Sequence, residues 1–328
     1  MANTLDALSA NASHYVNATA DPIKNDVSEA FSLLQKMNPG KYTDQAEFMR
    51  RYGPDTRAAK DGLRRELLQH LYPGRIDPGV AAEHIEQRID LNPEQHDAIN
   101  AINSSAAAVR LARIQGKTNV EAAKQLAPHL FKNAPDDQHD AIAREVGKTV
   151  GILKNTAARA VIDRHPGGAK QQAVHQIIAD HKGQPGVIFC HSLDAVHQLT
   201  EQLKAKGHRV VSMTGADSAQ VKGQKKAAFN PDTGEASADI LVTSDAGAVG
   251  MNAQRGQWLV QYDTPDTAMC HFQRNGRIHR LGQQNNVKLI DLIADHPAED
   301  AARKRLASKT ELREIITSPY DNLDDSGL

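Results

Sequence analysis

The chain has 328 residues and a formal net charge of −1, so no overall positive field draws polyanions to it. Aromatic residues make up 4% of the sequence, which argues against a base-stacking platform as the main binding device. The two cysteines, Cys190 and Cys270, lie far apart and outside any C-x-x-C pair, which argues against a disulfide framework or a zinc site.

Targeting and metal signals are missing from the sequence as well. No stretch approaches the roughly 18 consecutive apolar residues of a membrane span, and the N-terminus lacks a basic-then-apolar signal pattern. With cysteines that fit a reducing compartment, this predicts a cytoplasmic protein without a membrane partner. The histidines show no H-x-x-x-H or H-E-x-x-H spacing, so no metal site is predicted.

Residues 1–164 are predicted to form a helical region. Apolar residues recur there at helical spacing, and compact β-branched runs are scarce. Breaks at Pro39-Gly40 and other turn residues separate the segments. The later predicted helices of this region cover residues 81–89, 93–115, 120–130 and 137–162.

Residues 165–318 alternate between strand and helix patterns after the turn sequence at 165–168. Short apolar runs predict strands, and the polar-amphipathic stretches between them, such as 194–206, predict helices. Near-continuous apolar strands that alternate with helices predict an α/β domain with a mainly parallel sheet covered by helices. A charged helix follows at about 298–316, and residues 319–328 form an acidic tail. The predicted strands cover residues 187–190, 210–213, 240–243, 258–262 and 287–293.

A phosphate-binding loop of the form G-x-x-x-x-G-K-[ST] is not present in the sequence. Two Gly-Lys-Thr triplets occur, at 116–118 and 147–149, but Leu111 and Ile142 occupy the positions of the leading glycine. Both triplets fall among predicted helices and neither follows a strand. Acidic boxes of the Asp-Glu-x-His or Asp-Glu-x-Asp type, which position magnesium and water, are absent too.

Residues 273–283 are the most specific motif of the chain. Gln273, Gly276, Arg277 and Arg280 fit the spacing Q-x-x-G-R-x-x-R. We predict a short helix that places both guanidiniums on one side, one turn apart, where they can stabilise charge on the phosphates of a nucleotide held by another surface. The alternative is a basic surface helix whose arginines form ion pairs.

The motifs of residues 186–283 occur in the same order as those of a known family. Segments 186–192, 212–216, 239–252 and 273–283 resemble the second RecA-like lobe of superfamily-two helicases. The Leu281-Gly282-Gln283 continuation favours the Swi/Snf-like class of DNA translocases. This resemblance implies a P-loop NTPase-like fold for the lobe, without the P-loop itself.

The N-terminal segment resembles the end of the first lobe in the same family. Residues 18–26 resemble the T-A-T-P-I-x-N-D motif, with Asp21 where the family usually has threonine. The resemblance implies that the chain begins just before the last motif of the first lobe and lacks that lobe's nucleotide-binding core. Residues 1–164 would then be a first-lobe remnant with helical insertions.

The resemblance implies a role on the nucleotide side for one group of residues. Arg280 is the candidate arginine finger, Arg277 its phosphate-contacting companion, and Gln273 the residue that orients water or couples phosphate to lobe closure. The remaining candidates for cofactor binding are three glycines, which permit tight turns or close backbone approach, and one asparagine. They are Gly247, Gly250, Gly276 and Asn252.

A second group is implied to contact nucleic acid. Its members are small or polar residues at predicted strand ends, suited to hydrogen bonds with a phosphate backbone, together with one lysine of a basic helix. Turn and cap chemistry, and a solvated helix face for the lysine, are the alternatives. These candidates are His191, Thr214, Gly215, Ser244 and Lys225.

The function implied is the C-terminal lobe of an ATP-dependent, Swi/Snf-like DNA translocase or helicase. ATP and Mg²⁺ would bind only when a P-loop-bearing first lobe is supplied in trans, and duplex DNA, bound without sequence preference, is the expected partner. Two alternatives stay open: a non-enzymatic DNA- or protein-binding module that kept the fold, and an inactive remnant. The sequence leaves open whether the chain is an enzyme.

Overall fold

The computed structural model describes residues 27–69 and 78–317. The segment 18–26, with Asp21, and the acidic tail 319–328 lie outside these residues. The chain divides into two compact units, one of residues 1–77, 265–273 and 304–328, and one of residues 78–264 and 274–303. None of the described helices is both long and apolar enough to cross a membrane.

The described part of the first unit contains three short helices near its start. Their apolar faces form one cluster with Phe48 at its centre, whose ring meets those of Phe31 and Tyr52 edge-on at centroid distances of 5.4 and 4.7 Å. Asp44 and Thr56 cap the second and third helices through side-chain oxygens that accept backbone N–H groups. The helices are α1 (Val27–Met37), α2 (Gln45–Tyr52) and α3 (Arg57–Leu68).

The second unit is built on a six-stranded, fully parallel sheet, which confirms the predicted fold class. The strand order is β1-β6-β5-β2-β4-β3, so β2 lies inside the sheet and is buried along its whole length. The predicted strands at 210–213 and 240–243 are confirmed, and the others differ at their ends. The strands are β1 (Ala82–Ile89), β2 (Gly186–Phe189), β3 (Val210–Met213), β4 (Ile240–Thr243), β5 (Trp258–Gln261) and β6 (Val287–Ala294).

The strand β1 corrects one prediction, because residues 81–89 were expected to form a helix. This segment pairs in parallel with β6 at the edge of the sheet. Ile85 and Ile89 pack against the core, while the residues between them are largely polar and exposed. A spacing of four residues places two side chains on one face in a helix and in a strand alike, so the pattern did not distinguish the two.

Successive strand residues face opposite cores, as the period of a strand requires. Ile188, Val242 and Val260 share one core with apolar residues of the helices at 169–180 and 193–205. Val187 and Leu241 share the other core with the helix at 219–229 and the loops. The remaining helices of the chain follow in order. They are α4 (Pro93–Ile114), α5 (Val120–Leu126), α6 (Pro128–Phe131), α7 (His139–Arg164), α8 (Ala169–Asp180), α9 (Leu193–Ala205), α10 (Ala219–Phe229), α11 (Ala268–Asn275) and α12 (Pro297–Thr317).

The helices α4 to α7 form an insertion between β1 and β2, with a small core of its own. Gln95 joins its first helix to the sheet-covering helices. The Gln95 side chain forms a capping box with Asn92, donates to the carbonyls of Val161 and Ile162, and accepts from the Ala169 N–H at 3.0 Å. A fully buried amide with each of its groups hydrogen-bonded fixes the meeting point of α4, α7 and α8.

A network of buried ion pairs includes Thr264, which follows the end of β5. The Lys170 ammonium contacts Asp163 at 2.8 Å and Glu299 at 2.9 Å, and the Thr264 hydroxyl donates to Glu299 at 2.6 Å. Burial raises the pKa of Asp163 to about 6, although Lys170 opposes the shift. The network connects α7, α8 and α12 with the loop that follows β5.

Candidate functional site

The carboxyl ends of β2, β3, β4 and β5 lie side by side at one edge of the sheet. The Cys190 N–H donates to the Thr243 carbonyl at 2.9 Å, and the Ser244 N–H donates to the Met213 carbonyl at 3.2 Å. In open parallel sheets, ligands bind in the crevice at this edge. The structure therefore brings together the predicted nucleic-acid residues that follow three of these strands, His191, Thr214, Gly215 and Ser244.

Within this edge, Thr214 and Ser244 are buried and already have local partners. The Thr214 N–H donates to the Asp217 carboxylate at 2.7 Å, and the Ser244 hydroxyl accepts from the Gly247 N–H at 3.2 Å. Both contacts are typical of turns, but that of Thr214 uses its backbone N–H and not its hydroxyl, so the predicted nucleic-acid contacts of both residues stay predictions. His191 is exposed, and its backbone N–H donates to the carboxylate of Asp263.

Lys225 also has a partner within the chain. Its ammonium contacts Asp217 at 2.7 Å, and neither side chain is more than 28% exposed. Although burial works to raise it, hydrogen bonds from Lys225 and from the Thr214 backbone hold the pKa of Asp217 below its usual value. The charge of Lys225 is therefore largely compensated, which weakens the case for its contact with DNA.

The glycines of the loop after β4 serve its packing. A Cβ on Gly247 would lie 2.3 Å from the Met213 carbonyl oxygen, so only glycine lets this loop approach the end of β3 so closely. Gly250 has a φ of 69° and is exposed, as expected of a left-handed turn. Asn252 is half-buried, and its side chain donates to Gln254 at 2.6 Å.

Arg274 makes the most contacts among the side chains at this edge of the sheet, and the sequence did not single it out. Arg274 is 2% exposed, and its guanidinium donates two hydrogen bonds to the Asp245 carboxylate, at 2.7 and 2.8 Å. It also contacts Asp263 at 3.2 Å, donates to the Gln261 amide oxygen at 3.0 Å and lies over the ring of Phe189. One buried cation thus joins the ends of β2, β4 and β5 to the start of the arginine motif.

A possible signal for Arg274 was present in the sequence. Asp245 and Asp263 each follow a buried strand within two residues. The carboxyl ends of parallel strands meet at one edge, so two carboxylates there require a compensating cation. Arg274 lies within residues 273–283, but the spacing Q-x-x-G-R-x-x-R does not include it.

The predicted helix over the arginine motif is wrong in its extent, because α11 ends at Asn275. Gln273 is exposed in its last turn, and Gly276 begins the turn that follows. The chain leaves the helix there because Ile278 inserts fully into the core on one sheet face, and the Arg277 carbonyl accepts from the Ala253 N–H at 3.0 Å. Both predicted arginines therefore lie on a turn held against the sheet.

Arg277 and Arg280 differ from Arg274 in their surroundings. Arg280 is exposed, and the half-buried Arg277 donates to the Met251 carbonyl at 3.3 Å. Burial, followed by the positive charge of Arg280, lowers the pKa of Arg277. Within the described residues, no carboxylate forms an ion pair with either guanidinium. The pair is thus a local excess of positive charge, suited to an anion.

The described residues were also examined for a metal site. Across residues 27–69 and 78–317, no cluster of three His, Cys, Asp or Glu side chains is arranged to hold a metal ion.

Comparison with known proteins agrees with this geometry. Residues 169–282 match the family described as "Helicase conserved C-terminal domain". An uncharacterized ATP-dependent helicase of Bacillus subtilis, YqhH, is 25% identical over 93% of this chain and 55% of its own length. The chromatin structure-remodeling complex protein SYD of Arabidopsis thaliana is 22% identical over 96% of this chain and 9% of its own length.

A solved structure extends the agreement to the fold. The C-terminal part of the Fun30 ATPase domain superposes with a TM-score of 0.50, at 15% identity, over 73% of this chain and 97% of that one. The chain spans about half the length of the Bacillus relative and a much smaller share of the plant one. The predicted resemblance to Swi/Snf-like superfamily-two helicases is confirmed, while the roles of single residues stay predictions.

Proposed function

We propose, because residues 169–282 match the helicase conserved C-terminal domain and the chain resembles Swi/Snf-like helicases, that this chain is the second lobe of an ATP-dependent DNA translocase. A first lobe with a phosphate-binding loop, on a separate polypeptide or joined to this one, presents ATP and Mg²⁺. Arg277 and Arg280 approach the phosphates from this side. Closure of the lobes around ATP moves the backbone contacts along the nucleic acid.

The observation that carries this proposal is the contrast among the arginines of the motif. Arg274 is buried and forms ion pairs with two carboxylates, those of Asp245 and Asp263, so we assign it a structural role. Arg277 and Arg280 lie close enough for Arg280 to lower the pKa of Arg277, and no carboxylate among the described residues neutralises them. Bringing two like charges together is costly unless an anion compensates them, and a triphosphate supplies that compensation.

The nucleic-acid side of the proposal rests on the loops after β2, β3 and β4. They bring His191, Gly215 and backbone groups to the same edge of the sheet. The chain has a net charge of −1, and Lys225 is paired to Asp217, so neither an overall positive field nor this lysine favours binding to phosphates. We therefore infer non-specific and weak binding of duplex DNA by this chain alone, strengthened when the first lobe adds its own contacts.

The test of the proposal is ATP hydrolysis by the chain alone and with a first lobe. We expect no turnover above background from the purified chain with duplex DNA, because its sequence has no phosphate-binding loop and no acidic box. Adding the P-loop-bearing lobe of a Swi/Snf-like relative, in trans or as a fusion, should produce DNA-stimulated phosphate release. The first lobe alone is the control.

Two results would contradict the proposal. Brisk hydrolysis by the chain alone would show that it holds a nucleotide site of its own. A complemented mixture that binds DNA but hydrolyses no more ATP than the first lobe alone would favour a non-enzymatic binding module.

A further inference from the structure

The strand β1 forms one edge of the sheet and pairs along only one of its two sides. Its residues Ala82–Ile89 are all in register with β6, and no other described strand lies beside it. The side chains at 83, 84, 86 and 88 are exposed, so neither face of the strand is fully covered. A strand edge of this kind is a template for pairing with a further strand.

The hydrogen bonds to β6 determine which main-chain groups of β1 point outward. The Val287 N–H donates to the Ala81 carbonyl at 3.0 Å, and the Asp295 N–H donates to the Ile89 carbonyl at 2.9 Å. Since the main-chain groups of successive residues alternate between the two sides of a strand, the odd-numbered residues face β6. The even-numbered residues direct their N–H and C=O groups away from the sheet, where no described group bonds them. They are Ala82, His84, Glu86 and Arg88.

These outward groups restrict how a second copy of β1 can pair antiparallel to the first. Outward-pointing residues must lie opposite one another, because such residues exchange both of their main-chain hydrogen bonds. Only two registers meet this condition while seven of the eight residues overlap. One of them places Glu86 opposite Glu86 of the second copy and His84 opposite Arg88, and like charges directly opposite are destabilising.

The other register matches complementary side chains. It places Ile85 on the two-fold axis, opposite Ile85 of the second copy, in a pair without main-chain hydrogen bonds. His84 then lies opposite Glu86, and Glu83 lies opposite Gln87, so each exposed carboxylate meets a hydrogen-bond donor. Apolar and hydrogen-bonded pairs of this kind stabilise antiparallel strands.

The contacts of β1 with α12 are compatible with this register. Glu86 pairs with Arg303 through one carboxylate oxygen, and Arg88 pairs with Asp300 at 3.6 Å. The Glu86 side chain remains 59% exposed, and its second oxygen forms no hydrogen bond with a described residue. That oxygen is available to the His84 ring of a second copy.

We infer that β1 docks a second copy of this chain, whose own β1 adds to the sheet in antiparallel orientation about an axis at Ile85. Main-chain hydrogen bonds then close the exposed edge of both sheets. The contact is small for a dimer interface, so we expect reversible association with a dissociation constant of about 10–100 μM. This surface does not depend on a first lobe or on the proposed role of Arg277 and Arg280.

The test is sedimentation equilibrium of the full chain between about 5 and 500 μM, where we expect a monomer–dimer equilibrium. His84→Pro removes an outward N–H that β6 does not use, so the fold keeps its ladder while the dimer loses this hydrogen bond twice. The variant should associate at least about tenfold more weakly, at an unchanged unfolding temperature. His84→Ala keeps the N–H and should weaken association less than His84→Pro does.

Cross-linking tests the register even if the proline variant does not fold. Ile85→Cys brings two thiols together across the axis, where opposed Cα atoms lie about 4.5 Å apart, within disulfide range. Mild oxidation should cross-link this variant but neither the wild type nor Gln87→Cys, because Gln87 lies opposite Glu83. A monomer at every concentration, or cross-linking of Gln87→Cys without that of Ile85→Cys, would overturn the inference.

Discussion

Replacing Arg280 with alanine is expected to lower the ATP hydrolysis rate of the complemented chain by roughly 10³-fold or more, the range for an arginine that stabilises phosphoryl transfer. The exposed Arg280 guanidinium has no carboxylate partner among the described residues, so its removal leaves no buried charge behind. The loss should therefore appear in kcat, with little change in thermal stability. The measurement is steady-state phosphate release at saturating ATP and duplex DNA.

A matched variant makes this result interpretable. Arg110 is an exposed arginine on α4 with no ion pair to another described residue, and Arg110→Ala should keep the wild-type rate within about twofold. Arg280→Lys keeps the charge but loses the planar fork, so it should recover only part of the activity. If Arg280→Ala folds normally and loses less than about tenfold, Arg280 is not an arginine finger.

Replacing Arg274 with methionine is expected to have the largest effect on stability, a loss of about 3–5 kcal/mol in the free energy of unfolding. The variant would keep a similar side-chain volume but leave Asp245 and Asp263 without their shared cation. Because Asp263 is buried and accepts the His191 N–H, its uncompensated charge would sit at the centre of the site. Urea unfolding followed by Trp258 fluorescence measures the loss.

Two controls accompany Arg274→Met. Arg164 pairs with Asp194 at 3.2 Å on the surface of the same unit, and Arg164→Met should cost less than about 1 kcal/mol. Adding Asp263→Asn to Arg274→Met should cost less than the sum of the two single changes, because it removes the charge that was left unpaired. Equal losses for the surface and buried arginine variants would show that the Arg274 network contributes little.

Much of the sheet follows from local sequence patterns. Strands β2, β4 and β5 are four-residue, largely apolar runs that are buried along their whole length, and a chain that alternates such runs with helices favours a parallel sheet. β1 lies at the edge and keeps its polar residues in solvent. Its apolar positions, Ile85 and Ile89, have a spacing that fits both a helix and a strand. Only its pairing with β6, nearly 200 residues later, decides between them.

The sequence was sufficient to predict where the candidate site lies on the sheet, but not which of its charged side chains form ion pairs. The strand-end rule places Thr214 and Ser244 at one edge, as the structure shows. The ion pairs that determine which cations are free, Arg274 with Asp245 and Lys225 with Asp217, join residues that are not adjacent in the motifs. Pairing of this kind depends on tertiary packing, so the sequence did not separate the structural arginine from the unpaired ones.

The most direct test of the central claim is the affinity of this chain for a P-loop-bearing first lobe, measured with and without a non-hydrolysable ATP analogue and Mg²⁺. If Arg277 and Arg280 bind the triphosphate presented by that lobe, the analogue should tighten the association at least about tenfold by linkage. Arg277→Ala/Arg280→Ala should abolish this gain while leaving the nucleotide-free affinity unchanged. An association that ignores nucleotide, or the same gain in the double variant, would contradict the account.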